Sequence, residues 1–287
     1  MFRFGVSQFT TMPWDFERDV KEYAALGVEA IEVCEEKLVE GRAADQFALV
    51  GQSGLSIGSV QPEVRTIFPS RTQPEPKEPA ERASRFRRTV ERFGGFAEGV
   101  PFVCNTGPPP GGNVREVVEA TVREGRALAE HAQEYGASVA LEPLSPVLMN
   151  VESAIWTLEQ AMQIVAAVDH PGFGICLDFW NIWQNPAVAD QIRACSDRVL
   201  VVHVSDWRPP RSLEDRHVVG KGEIPLADLI RATQEISYRG AYTLEILSQD
   251  VPDSLWEPEG LAAVITESRE GLKRAFREAS VSREARG

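Results

Sequence analysis

Short apolar runs that end in a polar residue recur along the chain, separated by stretches whose apolar positions fall three or four apart. The runs are Arg3 to Ser7, Ala30 to Cys34, Ser56 to Gln61, Phe102 to Asn105, Ser138 to Glu142, Gly174 to Asp178, Leu200 to Ser205 and Tyr242 to Leu247. Their length and β-branched content predict strands, and the spacers predict amphipathic helices. Between Glu152 and Val168, for example, Ile155, Leu158, Met162 and Val165 share one helical face. Strict alternation of helix and strand predicts a parallel sheet, and eight strands predict its closure into a (β/α)8 barrel. An open doubly wound sheet is the rival. It would place GxGxxG after the first strand if it bound a dinucleotide, and that motif is absent.

Punctuation along the chain agrees. Gly27, Gly136 and Gly240 stand just before strands, where a left-handed C-cap is expected. Pro62 to Ser84 holds five prolines, which predicts a long arm or lid over one end of the barrel. Gly107 to Gly112, rich in proline and glycine, lacks the order of a phosphate-binding P-loop and predicts a stiff turn into the fourth helix. Residues 1–279 form one barrel domain in this reading, and 280–287 a frayed tail.

Composition narrows the classes. The 287 residues suit one barrel of about 250. A formal net charge of -13 repels polyanions, so nucleic acid is not an expected partner. Neither a leader peptide nor an apolar run of about 18 residues is evident, so membrane insertion is not expected either. Cys34, Cys104, Cys176 and Cys195 form no CxxC pair and fit buried free thiols in a cytoplasmic protein.

The strongest chemical signal lies at the ends of strands five to eight, which present Glu142, Asp178, His203 and Glu245. In a parallel barrel these ends converge on one face, and side chains two residues back share their inward direction. Ala140, Cys176, Val201 and Thr243 occupy those positions and suit a barrel interior. Singly, a strand-end acid more often caps a helix or pairs with arginine. Three carboxylates beside one imidazole, however, repel one another unless a cation joins them. One divalent metal ion is expected, manganese before magnesium, cobalt or zinc, because the donor set is mostly oxygen.

With those residues the sequence resembles the xylose-isomerase-like TIM barrels, a superfamily of sugar phosphate isomerases and epimerases. It includes ketose 3-epimerases, inosose isomerases and dehydratases, hydroxypyruvate isomerases and endonuclease IV. The likeness is carried by Gly27-Val-Glu-Ala-Ile-Glu32, Leu141-Glu142-Pro143, Leu177-Asp178, His203-Val-Ser-Asp206, Asp215-Arg216-His217, Gly220-Lys-Gly-Glu223 and Leu244-Glu245-Ile246. It implies that Glu142, Asp178, His203 and Glu245 bind the metal and that Glu142 and Glu245 also move protons. It further implies a pocket to which Trp14, Glu32, Asn105, Trp180, Asn181, Arg216 and His217 contribute substrate contacts. Asn181 departs from the pattern, since many relatives have histidine there, and asparagine cannot shuttle a proton. Endonuclease chemistry needs more histidine ligands than the four in the chain supply.

The expected function is therefore a metal-dependent isomerase or epimerase of a free keto-sugar, inosose or related polyol, working through an enediolate. A dehydratase or other lyase using the same acidic proton is the runner-up. A sugar-binding barrel without turnover and an endonuclease IV-like phosphodiesterase follow. A homodimer or homotetramer is expected.

Overall fold

The structure is a computed structural model that describes residues 2–207, 216–249, 251 and 253–284. Eight parallel strands close on themselves in sequence order: β1 (Arg3–Ser7), β2 (Ala30–Cys34), β3 (Ser56–Gln61), β4 (Pro101–Cys104), β5 (Ser138–Leu141), β6 (Phe173–Asp178), β7 (Val199–Val204) and β8 (Ala241–Leu244). The helices that wrap them are α1 (Phe16–Ala25), α2 (Ala43–Gln52), α3 (Pro79–Phe93), α4 (Val114–Gln133), α5 (Leu158–Val168), the single turn α6 (Phe179–Ile182), α7 (Val188–Cys195), α8 (Leu226–Glu235) and α9 (Leu261–Glu284). This is the (β/α)8 barrel that the alternating pattern predicts.

Two apolar layers hold it. The larger lies between barrel and helices, where Phe4, Ile31, Phe102, Leu141, Leu177 and Leu244 pack outward against residues such as Val20, Phe86, Leu128 and Ile265. A separate small cluster of Val103, Ala140, Cys176 and Val201 fills the barrel interior. Three of these are the residues two back from Glu142, Asp178 and His203, so the inward parity read from the sequence is the parity of the barrel. All four cysteines are buried and free.

Several boundaries differ from the sequence expectation, each for a local reason. Helix α5 begins at Leu158, not Glu152, because Thr157 and Gln160 form a reciprocal capping box that fixes the start. Ile155 is buried in the preceding loop, and Glu152 turns toward the proline-rich arm. That arm ends at Glu78, since Pro79 opens α3 as its first residue. Gly27 and Gly136 adopt positive φ as expected, but at the end of α8 it is Ser237 that does so, at φ 59°. At Gly240 a side chain is excluded instead by the ring of Tyr238. Pro110–Gly112 makes one tight turn before Asn113 caps α4. Helix α9 runs on to Glu284, beyond Ala279 where fraying is expected. Among the described residues no helix is long and apolar enough to cross a membrane.

The arm between Pro62 and Glu78 crosses the C-terminal mouth of the barrel. Buried Arg82, on α3, holds it from behind by donating to the carbonyls of Thr66 (2.6 Å), Pro76 (2.8 Å) and Gln73 (3.1 Å), and to the Thr66 hydroxyl. On its other side Glu152 accepts from the Thr72 hydroxyl at 2.8 Å and from Arg71 at 3.2 Å.

Candidate metal centre

Strand register assembles the site. Asp178 ends β6 directly opposite His203 on β7. Glu142 and Glu245 lie one residue past β5 and β8, yet their N–H groups still join the ladder, to Cys104 O at 2.9 Å and Val204 O at 3.1 Å. All four side chains therefore point inward at one level, and one ligand atom from each lies within 4.8 Å of the other three. All four residues are buried.

Donors at about 2.1 Å from a common small ion stand about 3 Å apart in cis and about 4.2 Å in trans. His203 Nδ1 lies 3.5 Å from Glu245 and 3.8 Å from Glu142, within that range. The remaining pairs lie within 4.8 Å of one another, so a small inward movement would complete the fit. Three carboxylates and one imidazole suit manganese, magnesium, cobalt or zinc by donor type.

The imidazole is aimed by a residue behind it. His203 Nε2 is 2.7 Å from Glu32 Oε2, and the same oxygen accepts from Ser59 Oγ at 2.6 Å. A proton held on Nε2 by Glu32 leaves Nδ1 as the lone-pair donor facing Glu142 and Glu245, the carboxylate–histidine arrangement common at metal sites. Glu32 is thus placed to orient His203 from behind, and it is not among the residues that line the pocket.

Electrostatics show how far the cluster is from neutral. Four buried carboxylates, including Glu32, surround one imidazole and the Arg216 guanidinium, whose Nη1 bridges Asp178 and Glu245 at 2.7 Å each. Burial raises Glu245 to about 7, helped by the nearby Glu142 and Glu32 charges and opposed by His203 and Arg216. Burial likewise raises Asp178 despite Arg216. For Glu142 burial is outweighed by His203, by the Asn105 amide and by Arg216, so its carboxyl is lowered. Burial also opposes charge on His203, but the surrounding anions hold it well above its usual range. A divalent ion held here would relieve this surplus of negative charge and take over the role of the imidazole proton.

Above the ligands lies a pocket walled by Phe9, Gln61, Arg65, Asn105, Leu148 and Arg216, with Glu142 and Glu245 in its floor. Asn105 lines it and donates to Glu142 Oε2 at 3.1 Å. Arg216 lines it too. Other expected contacts are placed elsewhere. Asn181 is wholly engaged as a brace: its amide nitrogen donates to Asp178 (2.9 Å) and Glu142 (3.1 Å), and its oxygen accepts from Ser145 N (2.9 Å). Trp180 is buried beside the site with the Arg216 guanidinium 5.0 Å over its ring, outside the pocket wall. Trp14 belongs to the core, its indole N–H bound to Pro258 O at 2.9 Å. His217 pairs its backbone with Asp206, in both directions at 2.8 and 2.9 Å, and is not among the pocket-lining residues. Asp215, which the sequence groups with it, lies outside the described residues.

Asp206 fixes the segment that delivers Arg216. Its carboxylate accepts from the backbone N–H of Trp207, Gly220, Gly222 and Ile224 at 2.8 to 3.1 Å. Any side chain at Gly222 would collide with the Trp207 carbonyl and with Asp206 itself. Sequence reasoning does not single out Gln61 or Arg65. Gln61 ends β3 and obeys the same strand-end rule that finds the ligands, whereas nothing local marks Arg65.

The xylose isomerase-like TIM barrel family profile matches residues 20–275. The chain belongs to that family. Among characterised proteins it is similar to L-ribulose 3-epimerase of Methylomonas sp. (strain DH-1), 27% identical over 152 residues that make up 52% of this chain and 49% of the relative. It is also similar to inosose isomerase of Halalkalibacterium halodurans, 29% identical over 136 residues, 46% of this chain and 47% of the relative. The matched stretch thus spans about half the length of these curated relatives. A crystal structure of a Sinorhizobium meliloti 1021 protein superposes with a TM-score of 0.82 at 25% identity, covering 95% of this chain and 98% of that one.

Proposed function

We propose that this barrel is a divalent-metal-dependent isomerase or epimerase of a keto-sugar, inosose or related polyol. The observation that carries the reading is the convergence of Glu142, Asp178, His203 and Glu245 within 4.8 Å at the floor of a pocket. Family membership and the similarity to an L-ribulose 3-epimerase and an inosose isomerase support the reaction class.

A divalent ion held by the four groups would draw electron density from a carbonyl and its neighbouring hydroxyl, acidifying the carbon between them toward an enediolate. Glu142 and Glu245 reach the pocket from opposite flanks of β6 and β7, so a proton leaving one face of the substrate and one arriving at the other each meet a carboxylate. Asn105 and Asn181 keep the Glu142 oxygens in place. Arg216, fixed over Trp180 and anchored by Asp178 and Glu245, offers its remaining N–H groups to substrate oxygens. The buried floor excludes bulk water from the carbon being deprotonated.

The test is metal content per chain on protein purified without chelator, in the native chain and in His203→Ala, followed by solvent-deuterium exchange into keto-sugars and inososes. The expected result is about one equivalent of manganese or a similar ion, lost in the variant. Exchange at a carbon-bound position should fall at least about 100-fold in Glu245→Gln. Absence of metal binding by the native chain, or exchange unaltered in Glu245→Gln, overturns the proposal.

A further inference from the structure

The pocket wall holds a cation for which the described residues supply no carboxylate partner.

That cation is Arg65. Three arginines line this pocket, and two have anionic partners: Arg216 bridges Asp178 and Glu245, and Arg71 pairs with Glu152. Arg65 has no carboxylate partner among the described residues, and its guanidinium lies over the Phe9 ring, 5.0 Å from the centroid. Stacking on an aromatic face holds the plane of the fork and leaves its edge N–H groups directed away from the ring. Phe9, Arg65, Thr72 and Leu247 also line the hollow next to this pocket, which puts Arg65 at the lip while Glu142 and Glu245 lie on the floor.

We propose that the substrate carries an anionic group, a carboxylate or a phosphate, at the end away from the ligand cluster, where Arg65 holds it. The proposal rests on the isomerase or epimerase reading of this pocket and narrows its substrate to a keto-sugar acid or keto-sugar phosphate. A planar fork pairs with either group through two parallel hydrogen bonds. The formal charge of -13 makes the long-range field unfavourable to an anion, so a preference for one must arise locally.

The experiment uses the full chain loaded with Mn2+ at fixed ionic strength. Calorimetric affinities are compared for D-fructose, 5-keto-D-gluconate and D-fructose 6-phosphate, in the native protein, in Arg65→Met and in Arg65→Lys, with thermal melts confirming that the variants fold. At least one anion should bind ten-fold or more tighter than fructose, and which one does so assigns carboxylate or phosphate. Arg65→Met should weaken that anion about 10- to 100-fold while fructose changes less than about two-fold, and Arg65→Lys should restore part of the loss. Fructose binding as tightly as both anions, no probe binding at all, or an anion preference that survives Arg65→Met would each overturn the proposal. Deuterium exchange into the bound probe is read separately. Anion binding that depends on Arg65 without exchange would leave this inference standing and remove the proposed reaction.

Discussion

Glu32→Gln tests whether the cluster is organised around a metal or around an internal ion pair. Glu32 is the only partner of His203 Nε2 among the described residues, at 2.7 Å, and it is fully buried. Glutamine keeps the shape but loses the charge that fixes the proton on Nε2. Losing a charge-assisted hydrogen bond costs about 1.5–3 kcal/mol, and outer-shell partners of histidine ligands are worth about 10- to 100-fold in metal affinity. At about 1.4 kcal/mol per ten-fold the two routes agree. The prediction is a Mn2+ dissociation constant raised about 10- to 100-fold, read by competition with a chromophoric chelator at constant pH. Ser59→Ala, which removes one neutral donor to the same oxygen, should raise it less. An unchanged constant in folded Glu32→Gln protein would refute the argument, because Nε2 would then not be the protonated nitrogen.

Other substitutions probe the scaffold. Thr157→Ala removes one half of the α5 capping box and should cost about 1 kcal/mol, seen as a lower denaturant midpoint at unchanged slope. Phe102→Ala empties a fully buried site between barrel and helices and should cost about 3–5 kcal/mol by the same measurement. Arg82→Met strands the carbonyls of Thr66, Gln73 and Pro76, at about 1–3 kcal/mol for each one left unsatisfied, and should expose the arm to limited proteolysis before the barrel unfolds. Gly271→Ala would set a methyl against the Val219 carbonyl, displacing α9, and a clear drop in melting temperature is expected.

How much the sequence discloses follows from how local each determinant is. Strand ends and inward parity are local, so residue spacing alone groups Glu142, Asp178, His203 and Glu245, along with the interior residues Ala140, Cys176 and Val201. Roles set by distant parts of the chain are not legible in this way. Trp14 follows β1 as a pocket residue would, but a carbonyl 244 positions later claims its indole. Asn181 stands at the expected place, yet its amide is taken up by Glu142, Asp178 and Ser145. The apolar spacing through Ile155 mimics a helical face, and the capping box at Thr157 decides against it. Arg65 carries no local mark because its place at the lip depends on the arm that Arg82 and Glu152 tie down.

The Asp206 knot has a consequence for how this barrel could diversify. It gathers four backbone N–H groups on one carboxylate, and Asp206 and His217 are paired backbone to backbone. The ends of the stretch between Trp207 and Arg216 are therefore joined independently of what lies between them. Loop-closure cost grows only about logarithmically with length, so residues could be inserted, deleted or exchanged there while Arg216 stays over the ligand cluster. The fold in effect clamps Arg216 from both chain directions, so the four-residue cluster keeps its guanidinium whatever length of chain enters the clamp.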